Sequence, residues 1–146
     1  MQPAIHLNFL AIAAAVVACF IFGWLWYGPL FGKPWAKEMG MNMDQKPAPK
    51  MMMRGMILMI IGTILMVFVL KHSQDVWRAS SWGLSPDLAN AQYGFMSGFF
   101  TWIGFFVPQL LGAVAWENRS WKLFGINAVY QFLSLQIAGM ILAFVR

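Results

Sequence analysis

Residues 5–27 read IHLNFLAIAAAVVACFIFGWLWY, and from residue 7 onward this stretch holds no ionisable side chain except Cys19 and Tyr27. A helix needs roughly 20 mostly apolar residues to cross about 30 Å of hydrocarbon, and this stretch suffices. Residues 51–70, 93–115 and 123–145 meet the same condition. Arg54 is the only formal charge in the four, and it lies one turn from an end, where its side chain can reach the headgroups. The expected fold is all-α, a four-transmembrane-helix bundle forming one integral membrane domain over 1–146. The spans are joined by a linker at 36–50 and a second loop at 71–90.

Composition supports this independently. The chain is 60% hydrophobic, 16% aromatic and only 10% charged, against about 25% charged in soluble domains. Between the spans the longest pieces are too short to bury a core of their own. The first stretch lacks a basic leader and an A-x-A-like cleavage site, so a retained helix is expected, not a signal peptide. Cys19 is the only cysteine and sits mid-span, where a small packing residue is the plain reading.

Charge placement sets the expected orientation. Lys33, Lys37, Lys46, Lys50 and Arg54 follow or edge the first loop, and Arg119 and Lys122 lie in the third, whereas Lys71, Arg78 and Arg146 are on the opposite side. The positive-inside rule then places loops 1 and 3 in the cytoplasm and both termini outside, in a multi-pass protein of the cell inner (plasma) membrane. The same rule accounts for the net charge of +5 without a nucleic-acid partner, since the bases form no single patch.

The first span runs into Gly28-Pro29 and Gly32-Lys33-Pro34, which forbid a regular helix, so it should end there. Trp24, Trp26, Tyr27 and Trp35 surround that point, as expected for rings at the headgroup level. Residues 36–50 are left without assigned structure, and 71–90, polar with interspersed Trp77 and Trp82, as an interfacial segment. Ser85-Pro86-Asp87 reads as the start of the third helix.

In the third span Ser97, Thr101, Gly104, Pro108 and Gly112 recur at steps of three or four, with Gly94 and Gly98 as a small pair beside them. Pro108 should kink the helix and leave a carbonyl near residue 104 for Gln109 or the fourth helix to satisfy. In the fourth span Asn127, Tyr130, Gln131 and Ser134 form a polar stripe at i, i+3, i+4 and i+7. Two readings stand: hydrogen bonds to the third helix that lock the bundle, or the lining of a watery cavity.

The run Asn8-Phe9-Leu10-Ala11-Ile12, the turn Leu25-Trp26-Tyr27-Gly28-Pro29-Leu30-Phe31-Gly32-Lys33-Pro34-Trp35, and Gly104-Phe105-Phe106-Val107-Pro108, Trp116-Glu117-Asn118-Arg119-Ser120-Trp121 and Ile126-Asn127-Ala128-Val129-Tyr130 together resemble the domain-of-unknown-function 1761 family of small bacterial membrane proteins. The likeness covers the first and last two helices and leaves 36–92 largely unmatched. It implies a four-helix membrane protein and carries no activity.

Other chemistry finds little support. Eight of the 12 methionines, Met39, Met41, Met43, Met51, Met52, Met53, Met56 and Met59, crowd one region that could hold Cu(I), although adaptable apolar filler suffices to explain them. His6 and His72 fall on one side without a supporting motif, so no metal or cofactor is expected. Glu117 and Arg119 form a rim pair or, with the turn carrying Trp26, Tyr27, Pro29, Lys33 and Trp35, a recognition surface for a protein or anionic lipid. No acid, lysine or histidine lies mid-span, which disfavours proton coupling, and no nucleophile converges with a base, so no enzyme is expected. What remains is a structural or accessory membrane component, packed as a homo-oligomer or in a larger complex. The alternative is an oligomeric channel or small-solute transporter lined by residues 127–134.

Overall fold

The computed structural model describes residues 2–42 and 48–145. Met43, Lys46 and Arg146 of the sequence reading lie outside them. The described chain is all-α and contains four helices long and apolar enough to cross a membrane, Phe9–Leu30, Pro49–Val76, Asn90–Trp116 and Trp121–Phe144.

Helix α1 spans Phe9–Leu25 and starts where Asn8 caps it, its Oδ1 accepting from the Leu10 and Ala11 amides at 2.9 and 3.2 Å. The residues before it, read as part of the span, are not helical; Ala4 N–H donates to the Ser81 carbonyl at 2.7 Å. At its other end α1 loses its regular winding just before Pro29, as the prolines require. It widens into a π turn, Trp26–Leu30, in which Phe31 N–H reaches the Trp26 carbonyl at 2.7 Å. The turn carries Pro29, and the chain redirects into a short helix α2, Gly32–Glu38. Part of the stretch left without structure is therefore helical.

Helix α3, Pro49–Val76, runs six residues beyond the expected end of the second span. Residues 71–90 are accordingly not a surface loop throughout. A short 3₁₀ turn, Ala79–Trp82, leads to α4, Asn90–Thr101. This helix begins later than Ser85-Pro86-Asp87 suggests, with the Gln92 side-chain oxygen accepting from Ala89 N–H at 3.0 Å. Asp87 is engaged elsewhere: its carboxylate accepts from the Ser80 amide and hydroxyl at 2.8 and 2.6 Å.

A second π turn, Trp102–Phe106, joins α4 to α5, Val107–Trp116. The irregularity expected from Pro108, at the carbonyls near residue 104, falls inside this π turn, directly ahead of the proline at the start of α5. Helix α6, Trp121–Phe144, starts on Ser120, whose Oγ accepts from Leu123 N–H at 3.1 Å.

Buried residues make up 50% of the apolar stretch of α6, 28% of the first span, 11% of α3 and 6% of the third span. Helix α6 is therefore the central post. Small residues on it, Ser134, Ala138, Gly139 and Ala143, let the others approach. The principal core joins Ala11, Ala15 and Cys19 of α1 to Val67 and Leu70 of α3 and Leu135 and Leu142 of α6. Helices α4 and α6 pack tightly where Gly94 meets Gly139. A Cβ at Gly139 would stand 2.5 Å from the Gly94 carbonyl oxygen, so only glycine permits the crossing. The packed ends of α3 and α4 lie at the terminal side of the bundle. Toward the other side α3 leaves the core, and nothing approaches Gly55 or Gly62.

Candidate functional site

Asn127 and Tyr130 of the α6 stripe face the first span, which for these two corrects the expected partnership with the third helix. Tyr27 Oη donates to Asn127 Oδ1 at 3.0 Å, and Cys19 Sγ–H to the Ser134 carbonyl at 3.5 Å. Tyr130 is buried, stacked on Phe22 at 5.6 Å between centroids and beside Tyr27 at 4.7 Å. Its hydroxyl passes over Gly23, where a Cβ would meet it at 2.9 Å. Gln131 is half-buried, whereas Pro108 and Gln109 are exposed. The π turn is held to α6 by Trp102, whose indole N–H donates to the Ala128 carbonyl at 2.8 Å.

The rings expected at the headgroup level divide. Trp24 is exposed, but Trp26 is buried against Phe31, centroids 4.3 Å apart, and Trp35 sits edge-on to Tyr27 at 5.2 Å. Trp24 and Trp26 are two residues apart, hence on opposite faces of a helix, and only one face can meet α6. Pro29 and Lys33 remain exposed. Across the same end Glu117 and Arg119 pair with each other at 3.6 Å, in a turn where Asn118 takes a φ of 55°. Glu38 accepts from Ser120 Oγ–H at 2.6 Å and lies 3.5 Å from Lys122 Nζ. The Ser120 hydrogen bond, aided by Lys122, holds the Glu38 carboxyl below its ordinary value.

The largest departure from expectation is at the terminal end. Lys71, Gln74, Asp75 and Arg78, taken from sequence as loop residues, lie inward on the last turns of α3 and just beyond, each at most 3% exposed. Lys71 Nζ pairs with Asp75 Oδ1 at 2.8 Å, and Asp75 Oδ2 accepts from His6 N–H at 3.0 Å. The span of α3 therefore does contain charge besides Arg54. Arg78 lies 4.4 Å over the Tyr93 ring and donates to Asn90 Oδ1 and the Ala143 carbonyl at 3.2 and 3.4 Å. Gln74 Nε2 donates to both Ser97 Oγ and the Gly139 carbonyl at 2.8 Å. These four residues fall at i, i+3, i+4 and i+7, the same spacing that identified the stripe on α6, so the signal was present in the sequence.

Two clefts flank this polar knot. One, of about 550 Å³, is lined by His6, Asn8, Lys71, Asp75, Ser80 and Ser81. The other, about 630 Å³, lies between α3 and the third span, with Ser73, Gln74 and Thr101 among aromatic walls that include Trp77, Phe100 and Phe105. His72 is turned to its own helix, Nδ1 2.9 Å from the Phe68 carbonyl oxygen. Among the described residues no three His, Cys, Asp or Glu side chains gather as a metal site. The methionines of α3 from Met51 to Met59 are all exposed.

No curated protein and no solved structure matches the chain. The model of one family, described as a protein of unknown function (DUF1761), matches residues 10–143. That match takes in the π turn, the polar knot and the α6 stripe alike, and the chain belongs to the DUF1761 family.

Proposed function

We propose that the protein is a non-catalytic membrane component whose role is structural or accessory, exerted by packing against a second copy or a larger membrane complex. The observation that carries this reading is the use made of polar groups inside the bundle. Asn127 and the Ser134 backbone bind the first span, and Gln74 binds α4 and α6, so these groups hold helices together. A conduit lined by residues 127–134 would need those side chains turned away from α1. The part of α3 around Gly55 and Gly62, and α5 around Gly112, have open space beside them and offer helix-packing faces.

The orientation proposed with it keeps loops 1 and 3 in the cytoplasm and both termini outside, in the inner membrane. Lys71 and Arg78, counted from sequence against this orientation, are only 2% and 1% exposed and do not face headgroups. The bias among exposed bases is thereby sharper than the bare count.

Native mass spectrometry of the protein in lipid discs, paired with solute-efflux assays in liposomes, tests the proposal. A defined oligomer or complex without efflux is the expected result. A monomer without companions, or efflux abolished by Asn127→Leu in a protein that still folds, overturns it.

A further inference from the structure

The fold sorts the charges of the chain by end. At the terminal end Lys71, Asp75 and Arg78 are buried, and the Asp87 carboxylate is held by Ser80. At the loop end the described residues include the bases Lys33, Lys37, Lys50, Arg54, Arg119 and Lys122, none of them buried, against the acids Glu38 and Glu117. Both acids are already answered, Glu117 by Arg119 and Glu38 by the Ser120 hydroxyl. Accessible positive charge is therefore in excess at this end alone.

Part of that excess is held on a docked helix. Helix α2 turns Ala36 into the bundle, sets Trp35 edge-on to Tyr27, and ties its last residue, Glu38, to Ser120 at the start of α6. Lys33 and Lys37, one turn apart, fall together on the face left outside, and both are exposed. Lys122 adds a third ammonium from α6. It stands 3.5 Å from Glu38, beyond the usual hydrogen-bond length, with 59% of its side chain exposed. Lys37 acts on the same carboxylate. Lys37 and Lys122 thus flank one carboxylate that a serine already binds, with Lys33 a turn beyond, and a single negative charge cannot balance three.

The bilayer supplies the missing anion at this depth. The π turn that ends the first span leads directly into α2, and the fourth span opens on Trp121, next to Lys122. Leu30, three residues before Lys33, is 60% exposed and Trp121 66%. Exposed apolar groups beside the lysines suit a molecule that is part headgroup and part hydrocarbon, whereas a soluble anion would use the lysines only. We propose that α2 and the start of α6 form a binding site for an anionic phospholipid, its phosphate held by Lys33, Lys37 and Lys122 and its acyl chains entering the hydrocarbon beside Leu30 and Trp121. Lys50 and Arg54, on the part of α3 that leaves the core, take no part. The site is separate from the packing faces of α3 and α5 invoked above and stands whether or not the chain self-associates.

Titration of the full chain in detergent micelles with phosphatidylglycerol, read by native mass spectrometry, tests this. One lipid per chain is expected to bind, at least about tenfold more tightly than phosphatidylcholine. Each base near an anionic headgroup contributes a factor of about five, so Lys33→Gln combined with Lys37→Gln should weaken phosphatidylglycerol binding about 25-fold, and Lys122→Gln alone about fivefold. The changes on α2 leave the Glu38 bond to Ser120 in place, and an unchanged melting temperature shows that the fold is intact. Lys50→Gln combined with Arg54→Gln removes the same charge from the same end of the protein and should change binding by less than about twofold. Equal weakening by the two pairs overturns the proposal, because it means diffuse attraction without a site. So does phosphatidylcholine binding as tightly as phosphatidylglycerol, or displacement of the lipid by millimolar inorganic phosphate, the mark of a site for a soluble anion.

Discussion

Gln74 reaches from α3 to the Gly139 carbonyl of α6 at 2.8 Å, at the level where Gly139 is pressed against Gly94 of α4. Three helices meet at one side-chain nitrogen, since the same Nε2 also donates to Ser97 on α4. Glycine at 94 and 139 brings the backbones close, and the exposed carbonyl that results is an acceptor at the right height for a glutamine. The small-residue packing and the hydrogen bond are one feature.

Gln74→Leu should therefore loosen α3 from both partners. Interhelical hydrogen bonds in membranes average about 0.6 kcal/mol and reach about 1.7, so two lost together should cost about 1–3 kcal/mol. Unfolding of the variant in mixed micelles by a denaturing detergent measures it. An unchanged midpoint would show that the bonds contribute nothing net.

Gly139→Leu should cost at least as much, because the added side chain meets Gly94 backbone. Overpacking of a closed contact costs about 1–3 kcal/mol, occasionally more. Gly62→Ala serves as the control, having nothing near its Cβ position. Thermal melts of both variants in one detergent should separate them by several degrees.

Asp75→Asn leaves Lys71 charged, buried and unpaired. Breaking a buried pair from one side costs about 3–5 kcal/mol, whereas replacing both partners by apolar residues is often neutral. The single variant should fail to fold or melt far lower, and Lys71→Met combined with Asp75→Leu should recover most of the loss. If the double variant is as unstable as the single one, the pair serves more than charge compensation.

Tyr27→Phe removes the donor to Asn127 while keeping the ring beside Tyr130 and Trp35. The expected loss is about 0.6 kcal/mol. A loss several times larger in the same denaturation assay would mean that the hydroxyl organises the whole aromatic cluster.

Glu38 makes the loop end sensitive to acid. Its folded-state pKa lies below the ordinary value of 4.5, so its contribution is fully present above that value and is lost as pH falls through the lower, folded one. Glu38→Gln should flatten the acid limb of a melting-temperature profile below about pH 4.5 and leave the neutral region little changed. A profile identical to that of the parent protein would show that Ser120 and Lys122 do not stabilise the ionised form.

Four membrane-length helices were legible because bilayer thickness imposes a length on each apolar run, and length and hydropathy are properties of a continuous stretch. The stripe at Asn127, Tyr130 and Ser134 was legible too, since helical spacing places those residues on one face whatever lies opposite. Its partner was not: periodicity gives a face of one helix and contains nothing about which neighbour meets it. The same gap explains why Trp26 looked like a headgroup anchor and is a core residue. Lys71, Gln74, Asp75 and Arg78 were misplaced for a different reason. Charge reads as the end of a span unless its compensation is known: Lys71 and Asp75 pair one turn apart, but the other groups that hold Gln74, Asp75 and Arg78 come from His6, Asn90, Tyr93, Ser97 and the α6 backbone, elsewhere in the chain. The local chain dictated that these helices exist and lie in a membrane; the arrangement of α1, α4 and α6 decided which polar groups are buried, because burial and pairing are properties of contacts between helices.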